Sequence, residues 1–512
     1  MAFIQNVRGN QALPLSNDYE LLRNQYATSS HDDNAMKPGL IVQPKDVDDI
    51  KAVIAHAKTE NKAVAIRSGG HQYSGASSTG LANIQLDLRN TFKSRHQDLV
   101  YREVGDKSYV RTSVSWSLGD FNLFLRKHNA FVPHGQCAHV HVGGHAQTGG
   151  YGQLGRGFGL FGDHIISLEI VDHNGEIKEI TRSSDAEQFF AWTGGSPGNL
   201  GVLTHFTVEV YRDSNYRGSR YLKCVHAYSP ANLKRILKLL ADMNDDEGFP
   251  RNYDLCVSVV SAGFDLMSVI SDLPLDNVPD NLFGEFVPAA IIPTIIIYAQ
   301  WVPFSADDTP NMSWFENLNR GSIVSSDVQE KVMSEVTRNW LFPRAREYDL
   351  PYVKRAYLTA ATNLSTNGWV DWAAGRMDKV IGSTSPRNGH RLSAQLQAFG
   401  GTHSRFRLNA NNGTSYSWRD STLCFVLDDF HDPSKKQEAE QWAQEADREA
   451  LTYFSAQDRR VLWGSYGSSD LHAVRAHYYD NEAIYQRLQR ARSVADPNGT
   501  FTPNAFSVKR MG

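Results

Sequence analysis

Two side chains able to act as nucleophiles stand among glycines in this chain. His71 lies in Arg67-Ser68-Gly69-Gly70-His71-Gln72-Tyr73-Ser74-Gly75; Cys137 follows some sixty residues on, in Gly135-Gln136-Cys137, which runs into Gly143-Gly144-His145. Imidazole attacks as the free base and cysteine as the thiolate, and both forms are reachable near neutral pH. Glycine lets backbone N–H groups come close to a phosphate. Together the two segments suit a dinucleotide. Singly, each is ordinary: Gly-Gly-His is more often a tight turn with a solvated imidazole, and a lone Cys a small buried hydrophobe. The weight rests on the pair, in this order and with these flanks.

Such segments need elements to hold them. Leu40-Ile41-Val42 reads as a strand, and Lys45 to Thr59 as a helix with Val47, Ile50, Val53, Ile54 and Ala57 on one face; Ala63 to Arg67 is the next strand. This βαβ unit puts the first glycine loop at a strand's carboxyl end, where α/β folds bind nucleotides. Ile84 to Leu88 and Tyr109 to Val114 are further strands, and Leu118 to His128 is a helix leading toward Cys137. Ile165 to Asp172 and Glu176 to Thr181 flank Asn174-Gly175, the dipeptide of a two-residue hairpin. Ser184-Asp185-Ala186-Glu187 fits a capping box, and Leu200 to Tyr211 is a long strand.

Past residue 213 the pattern changes to long strands at Arg220 to Ala227, Leu255 to Ser261, Thr294 to Val302, Leu392 to Gly400 and Thr422 to Asp429. Helices at Pro230 to Asp245 and Ser434 to Phe454 would back them. An antiparallel sheet covered by helices is expected, and the fold class is α+β.

Composition narrows the possibilities. The 512 residues allow two to four domains or one large two-lobed enzyme, and 41% hydrophobic with 21% charged content is ordinary for a soluble globular protein. A net charge of -4 without a basic run gives no support to a nucleic-acid role. The longest apolar run, Ala289 to Ala299, is too short to span a membrane and reads as a buried strand. Four cysteines form no disulfide framework; Cys224 and Cys256 lie in apolar runs as core residues, with a single bridge between them left open. Met1 to Pro14 lacks the pattern of a signal peptide, so the chain as given reads as cytoplasmic or as secreted with its signal removed. Sequons at Asn311, Asn363, Asn412 and Asn498 are about as many as chance supplies. A monomer is expected, with no metal.

Taken whole, Arg67 to Gly75 resembles the R-S-G-G-H-x-Y-x-G loop of the berberine-bridge-enzyme-like branch of the vanillyl-alcohol-oxidase (PCMH-type) flavoproteins. Cys137 to His145, followed by Gly149-Gly150-Tyr151-Gly152, is similar without a gap to that branch's C-P-T-V-G-x-G-G-H…G-G-G-[FY]-G. Gly159 to Ile165, Gly198 to Val202, and Tyr478-Tyr479 through Asp496-Pro497-Asn498-Gly499-Thr500-Phe501 continue the likeness, which thins in the middle of the chain. Two departures stand out: Ala138 replaces Pro, and His141 replaces the usual Gly.

The resemblance implies an N-terminal arm (1–35), a PCMH-type FAD-binding domain of two α/β subdomains (36–212), a substrate domain (213–475) and a segment returning to the first domain (476–512). It implies covalent FAD, joined through His71 to the flavin 8α-methyl and through Cys137 to ring carbon 6. Arg67, Ser68, Gly69, Gly70, Gln72, Gly143, Gly144, His145, Gly150, Gly201 and Val202 would line the cofactor, with Val140 at the oxygen-facing side. Leu462 to Leu471 aligns with the branch's Y-x-N-Y-x-D-x-x-L, although Ser465 and Ser468 depart from it. That alignment places Tyr466 as a substrate-side base. A tyrosine of pKa near 10 needs a helper; Asp428 and Asp429 lie on opposite faces of one strand, so one would face the pocket. Tyr73, Tyr151 and Trp418 would complete the substrate pocket. The activity implied is removal of a hydride from a small-molecule alcohol or carbohydrate and reduction of O2 to H2O2. A secondary-metabolite oxidase and a catalytically silent flavin-binding protein are the alternatives.

Overall fold

The computed structural model describes the chain except residues 26–31, 73–74, 196, 264–265, 267–282, 285–286, 291, 343–349, 383–387, 456–473 and 512. Three sheets carry the architecture. The first takes β1 (Asn10–Ala12), β2 (Leu40–Gln43), β3 (Val64–Arg67) and β4 (Ile84–Asp87) in the order β1-β2-β4-β3, parallel except for β1. The helix Val47–Thr59 connects β2 to β3 as the periodicity requires. Ile50, Val53, Ile54 and Ala57 are buried, and Asp46 caps the helix by accepting from Asp48 and Asp49 N–H. The polar arm is less loose than its composition indicates, since β1 pairs with β2.

The second sheet is antiparallel, in the order β5-β6-β10-β8-β9: β5 (Leu99–Val104), β6 (Lys107–Ser113), β8 (Ile165–Val171), β9 (Ile177–Thr181) and β10 (Val202–Arg212), with the short β7 (Ala130–Phe131) on β10. The following helix, Ala186–Trp192, starts one residue later than the capping-box reading. Asp185 takes the cap, accepting from Gln188 N–H at 3.0 Å, because Ser184 Oγ is committed to Thr181 N–H.

The third sheet, built from residues 220–431, is antiparallel throughout. It contains β11 (Arg220–Ala227), β12 (Tyr253–Val260), β15 (Thr294–Trp301), β16 (Val324–Ser325), β17 (Gln329–Glu330), β18 (Tyr352–Thr359), β19 (His390–Ala398) and β20 (Leu423–His431); β13 (Phe283–Gly284) and β14 (Val287–Ala290) form a separate hairpin. Its order is β16-β11-β15-β12-β19-β20-β18, with β17 pairing β11. Helices Pro230–Asp245, Trp369–Ile381 and Lys436–Ala450 bury one face, where Leu222, Cys224, Leu255 and Ile297 lie. The other face, with Tyr221, Cys256, Ile296 and Tyr298, packs on Phe131 and Phe158 of the first lobe. Cys224 and Cys256 are thus on opposite faces, and no disulfide joins them.

Two polar clasps fasten the first lobe, one to the second lobe and one to the tail of the chain. Asp163, fully buried, accepts from Arg419 Nη2 (2.7 Å), Asn409 Nδ2 (3.0 Å), Asn412 Nδ2 (2.9 Å) and Leu160 N–H (2.8 Å). Burial raises its pKa, but Arg419 and the hydrogen bonds prevail and hold it below the usual carboxylate value. A depressed folded pKa adds stability above the unfolded value of about 3.9 and loses it as pH falls through the folded value. Asp163→Asn is therefore expected to cost about 2 kcal/mol at pH 7, with the gap to the parent closing below about pH 4, in urea titrations across pH.

The second clasp is the tail. Thr500 O accepts from Val64 N–H at 2.7 Å, Pro503 O accepts from Thr79 Oγ at 2.8 Å, and Asn504 Nδ2 donates to Ala76 O and Ser78 O at 2.8 and 2.9 Å. These bonds fix the segment just after the first glycine loop.

Candidate functional site

Both glycine segments open into one cavity of about 320 Å³ between the lobes. Ser68, Gly69, Gly70, His71 and Gln72 form one wall, delivered by the carboxyl end of β3, whose neighbour is pinned by Leu88 N–H donating to Arg67 O. Gln136, Cys137, Val140, His141, Gly143 and Gly144 form the second. Here the chain is gripped from both sides. Leu118 and Gly119 N–H donate to Val140 O and Ala138 O (2.7 and 2.9 Å), and Val142 N–H donates to Trp116 O (2.9 Å). From the other lobe, Phe342 N–H donates to Gln136 O and Phe342 O accepts from Ala138 N–H (2.7 and 3.0 Å), bracketing Cys137.

His71 is held as neutral imidazole. Burial, then the neighbouring His141 and His139, push its pKa well below the ordinary 6.5, so the nucleophilic free base prevails at neutral pH. His145 instead supports the backbone of the second segment. Its Nε2 accepts Gly135 N–H at 3.1 Å, and burial presses its pKa to about 3. Its ring is sandwiched closely, for a Cβ on Gly135 would lie 2.9 Å from Cε1 and one on Gly150, at φ +69°, 2.6 Å from Cδ2. Glycine is required at both. Behind it His134, its pKa lowered to about 4 by burial, bonds Gly135 O through Nδ1 (2.7 Å) and faces Asn122 Nδ2 through Nε2 (3.1 Å).

The residues fit a dinucleotide on two counts. A Cβ on Gly144 would find no neighbour nearer than Ser68 Oγ at 4.0 Å, so backbone here borders open cavity. His141 Nδ1 is buried at the cavity wall with no partner among the described residues, a polar atom that a bound group would satisfy.

The third wall is the sheet. Tyr352 and Lys354 of β18, Asp428 and Phe430 of β20, Ser393 and Gln395 of β19, and Ser258 and Val260 of β12 face the cavity, with Tyr151 and Gly150 from the first lobe. Lys354 Nζ sits 3.0 and 3.1 Å from the two oxygens of Asp428, directly across the strand pair.

Several sequence expectations change. Asp429 faces the far side of the sheet, where it bonds His390 Nδ1 at 2.9 Å; burial raises its pKa. Alternation along β20 gives the cavity to Asp428 alone of the two. Arg67 points away from the cavity, paired with Asp87 at 2.7 Å and donating to carbonyls of Leu22, Arg23 and Asn24, so it fastens the N-terminal arm. Trp418 is also outside the cavity. It packs in the first lobe's core at φ +63°, its Nε1 donating to His477 O at 3.0 Å. Val202 begins β10 with Gly201 just before it; a Cβ on Gly201 would meet Val171 O at 2.9 Å, and the cavity is reached instead by Pro197, Gly198 and Leu203. Tyr73 and Tyr466 lie outside the described residues.

Gln136, Ser77, Gln147, Lys354 and the Ser393-Gln395 pair line the cavity without having been singled out from sequence. Of these, Ser393 and Gln395 were findable: they occupy alternate polar positions in the otherwise apolar strand His390–Ala398, which marks one face as polar.

Residues 38–181 match the family described as an FAD binding domain. The chain is 35% identical over 175 residues to berberine bridge enzyme-like 12 of Arabidopsis thaliana, covering 34% of this chain and 32% of that protein. The matches to the curated relatives span between about a third and just over half of their length. Among solved structures, a variant of berberine bridge enzyme superposes with a TM-score of 0.74 at 16% identity, over 99% of this chain and 98% of that one. Chitooligosaccharide oxidase does so at 0.71 and 15%, over 98% of each chain. At such identities the likeness is one of fold.

Proposed function

For a chain that matches an FAD binding domain over residues 38–181 and is similar to berberine bridge enzyme-like proteins, we propose membership of that family as an FAD-dependent oxidase whose flavin is bonded to both His71 and Cys137. It acts on the carbinol carbon of an alcohol or carbohydrate and yields H2O2. One observation carries this reading: two nucleophilic side chains from segments far apart in sequence line a single glycine-walled cavity. Bound FAD would supply the hydride acceptor and the reaction with O2.

The chain's own part is positioning and proton transfer. Substrate would lie between the flavin and the sheet wall, where Asp428 is fixed by Lys354 and presents carboxylate oxygens toward the cavity. Tyr466 remains the proposed base by resemblance, with Asp428 its partner in taking the substrate proton. The polar Ser258, Ser393 and Gln395 would read hydroxyls while Tyr151 and Tyr352 cover C–H faces, which supports a polyhydroxylated substrate. A second reading, a flat phenolic or alkaloid substrate, draws support from Val260, Val426, Phe342 and Phe430 in the same lining. The two solved neighbours, one named for a carbohydrate and one for berberine, superpose about equally well, so the fold does not choose.

The test is an anaerobic panel of mono- and oligosaccharides beside phenolic alcohols and alkaloids, read as bleaching of the flavin near 450 nm, followed by peroxide release in air. A sugar response supports the first reading; a phenolic or alkaloid response alone supports the second. A flavin that no compound reduces would leave a binding protein.

Val140 provides a further check. It lines the cavity beside Cys137 with its backbone fixed on Leu118, and its side chain is small. Val140→Leu adds one methylene there and is expected to slow reoxidation of the reduced enzyme by air about tenfold while leaving anaerobic reduction unchanged. Stopped-flow traces with equal reoxidation rates would remove Val140 from the oxygen path.

A further inference from the structure

His141 stands between the two glycine runs of the cavity. Its ring lies against Gly69, where a Cβ would come within 2.9 Å of His141 Cδ2 and 3.1 Å of Cγ. The backbone around it is fixed, bridged to Ser117 and bonded on either side through Val140 O and Val142 N–H. Ring and chain therefore move little, and Nδ1 stays buried without a partner among the described residues. Such a nitrogen carries an uncompensated desolvation cost if nothing satisfies it.

Its surroundings say what would. Burial first, then Lys93 and Arg89, lower its pKa to about 4 against the opposing pull of Asp87 and Asp120. The ring is therefore neutral, with one N–H to give. Asp87 is held by Arg67 and Arg89 at 2.7 and 3.0 Å, Asp120 accepts from Ser117 Oγ at 2.9 Å, and Nδ1 bonds neither carboxylate. With Lys93 and Arg89 close enough to depress its pKa, an N–H carried on Nδ1 would favour an anionic oxygen.

We propose that His141 is a side-chain ligand of the bound dinucleotide, donating from Nδ1 to a phosphate oxygen between Gly69-Gly70 and Gly143-Gly144. The branch that this chain resembles usually has glycine there, which offers no side-chain donor. The proposal rests on the reading of the cavity as an FAD site.

The test uses the full chain carrying His71→Ala and Cys137→Ala, in which flavin binding is reversible. FAD and riboflavin, which has no phosphate, are titrated before and after adding His141→Phe, a change that keeps a ring against Gly69 and removes the N–H. FAD binding is expected to weaken about tenfold with riboflavin unchanged. Equal losses for both ligands would assign the contact to the flavin ring and overturn the proposal, as would no loss for FAD. A failure of FAD to bind before position 141 is altered would instead bring down the cofactor reading. Should the Phe protein not fold, 15N spectra of histidine-labelled protein with His141 intact decide: the Nδ1 resonance shifts when FAD is added and not when riboflavin is, or the proposal fails.

Discussion

Protein precipitated with acid is expected to carry its yellow colour into the pellet. His71→Ala and Cys137→Ala should each keep the colour, through the one remaining bond, whereas the double variant should release all of its flavin to the supernatant. A tryptic digest of the parent should contain one flavin that cross-links the peptide with residue 71 to the peptide with residue 137, which would identify the two bonds directly. Because burial and the nearby His141 and His139 hold His71 neutral well below pH 6.5, attachment at this residue should proceed at a flat rate between about pH 6 and 8 in the Cys137→Ala protein. A rate that falls off through pH 6.5 would mean an ordinary solvated imidazole. Free FAD released from the fully loaded parent would end the two-bond reading altogether.

Loss of the carboxylate facing the cavity should act on chemistry and spare cofactor loading. Asp428→Asn keeps the side-chain shape and is expected to slow anaerobic flavin reduction by roughly a hundredfold or more, the usual range for removing a group in proton transfer. Tyr466→Phe should match it, since the proposed mechanism makes the two one unit, and the double variant should then be little slower than either single one. Asp429→Asn is the internal control. It sits one residue along the strand but on the far face with His390, so the reduction rate should not change even if the melting temperature does. Asp428→Asn also leaves Lys354 without its partner carboxylate, and thermal melts must accompany the kinetics. An unaltered rate in Asp428→Asn with a hundredfold loss in Tyr466→Phe would leave the tyrosine to act without it.

Much of this was legible from residue types and spacing. Apolar periodicity locates the helix Val47–Thr59 and the strands around it, and the glycine segments mark where a dinucleotide would lie. What sequence could not give was direction. Arg67 and His71 share one motif, but successive residues of β3 and its loop point to different sides, so one holds the arm and the other enters the cavity. Alternation separates Asp428 from Asp429 without saying which is inside; that depends on register against Lys354 and Ser393. The strand Tyr352–Thr359 was missed because Lys354 and Arg355 interrupt its apolar run. Both charges are buried against carboxylates, of Asp428 and of Asp447, that lie far along the chain. A pattern whose compensation is tertiary cannot be read locally.

The clasp between residues 500–504 and Val64, Ala76, Ser78 and Thr79 bears on the order in which the protein is made. Ala76 and Ser77 are part of the cavity wall, yet the groups that hold their segment in place are synthesised more than four hundred residues later, with 424 positions separating Thr79 from Pro503. A nascent chain that has not yet exposed residues 500–504 therefore has both nucleophiles but lacks a completed cradle. Flavin attachment should begin only after residues 500–504 have emerged, and polypeptides stalled before that point should accumulate colourless.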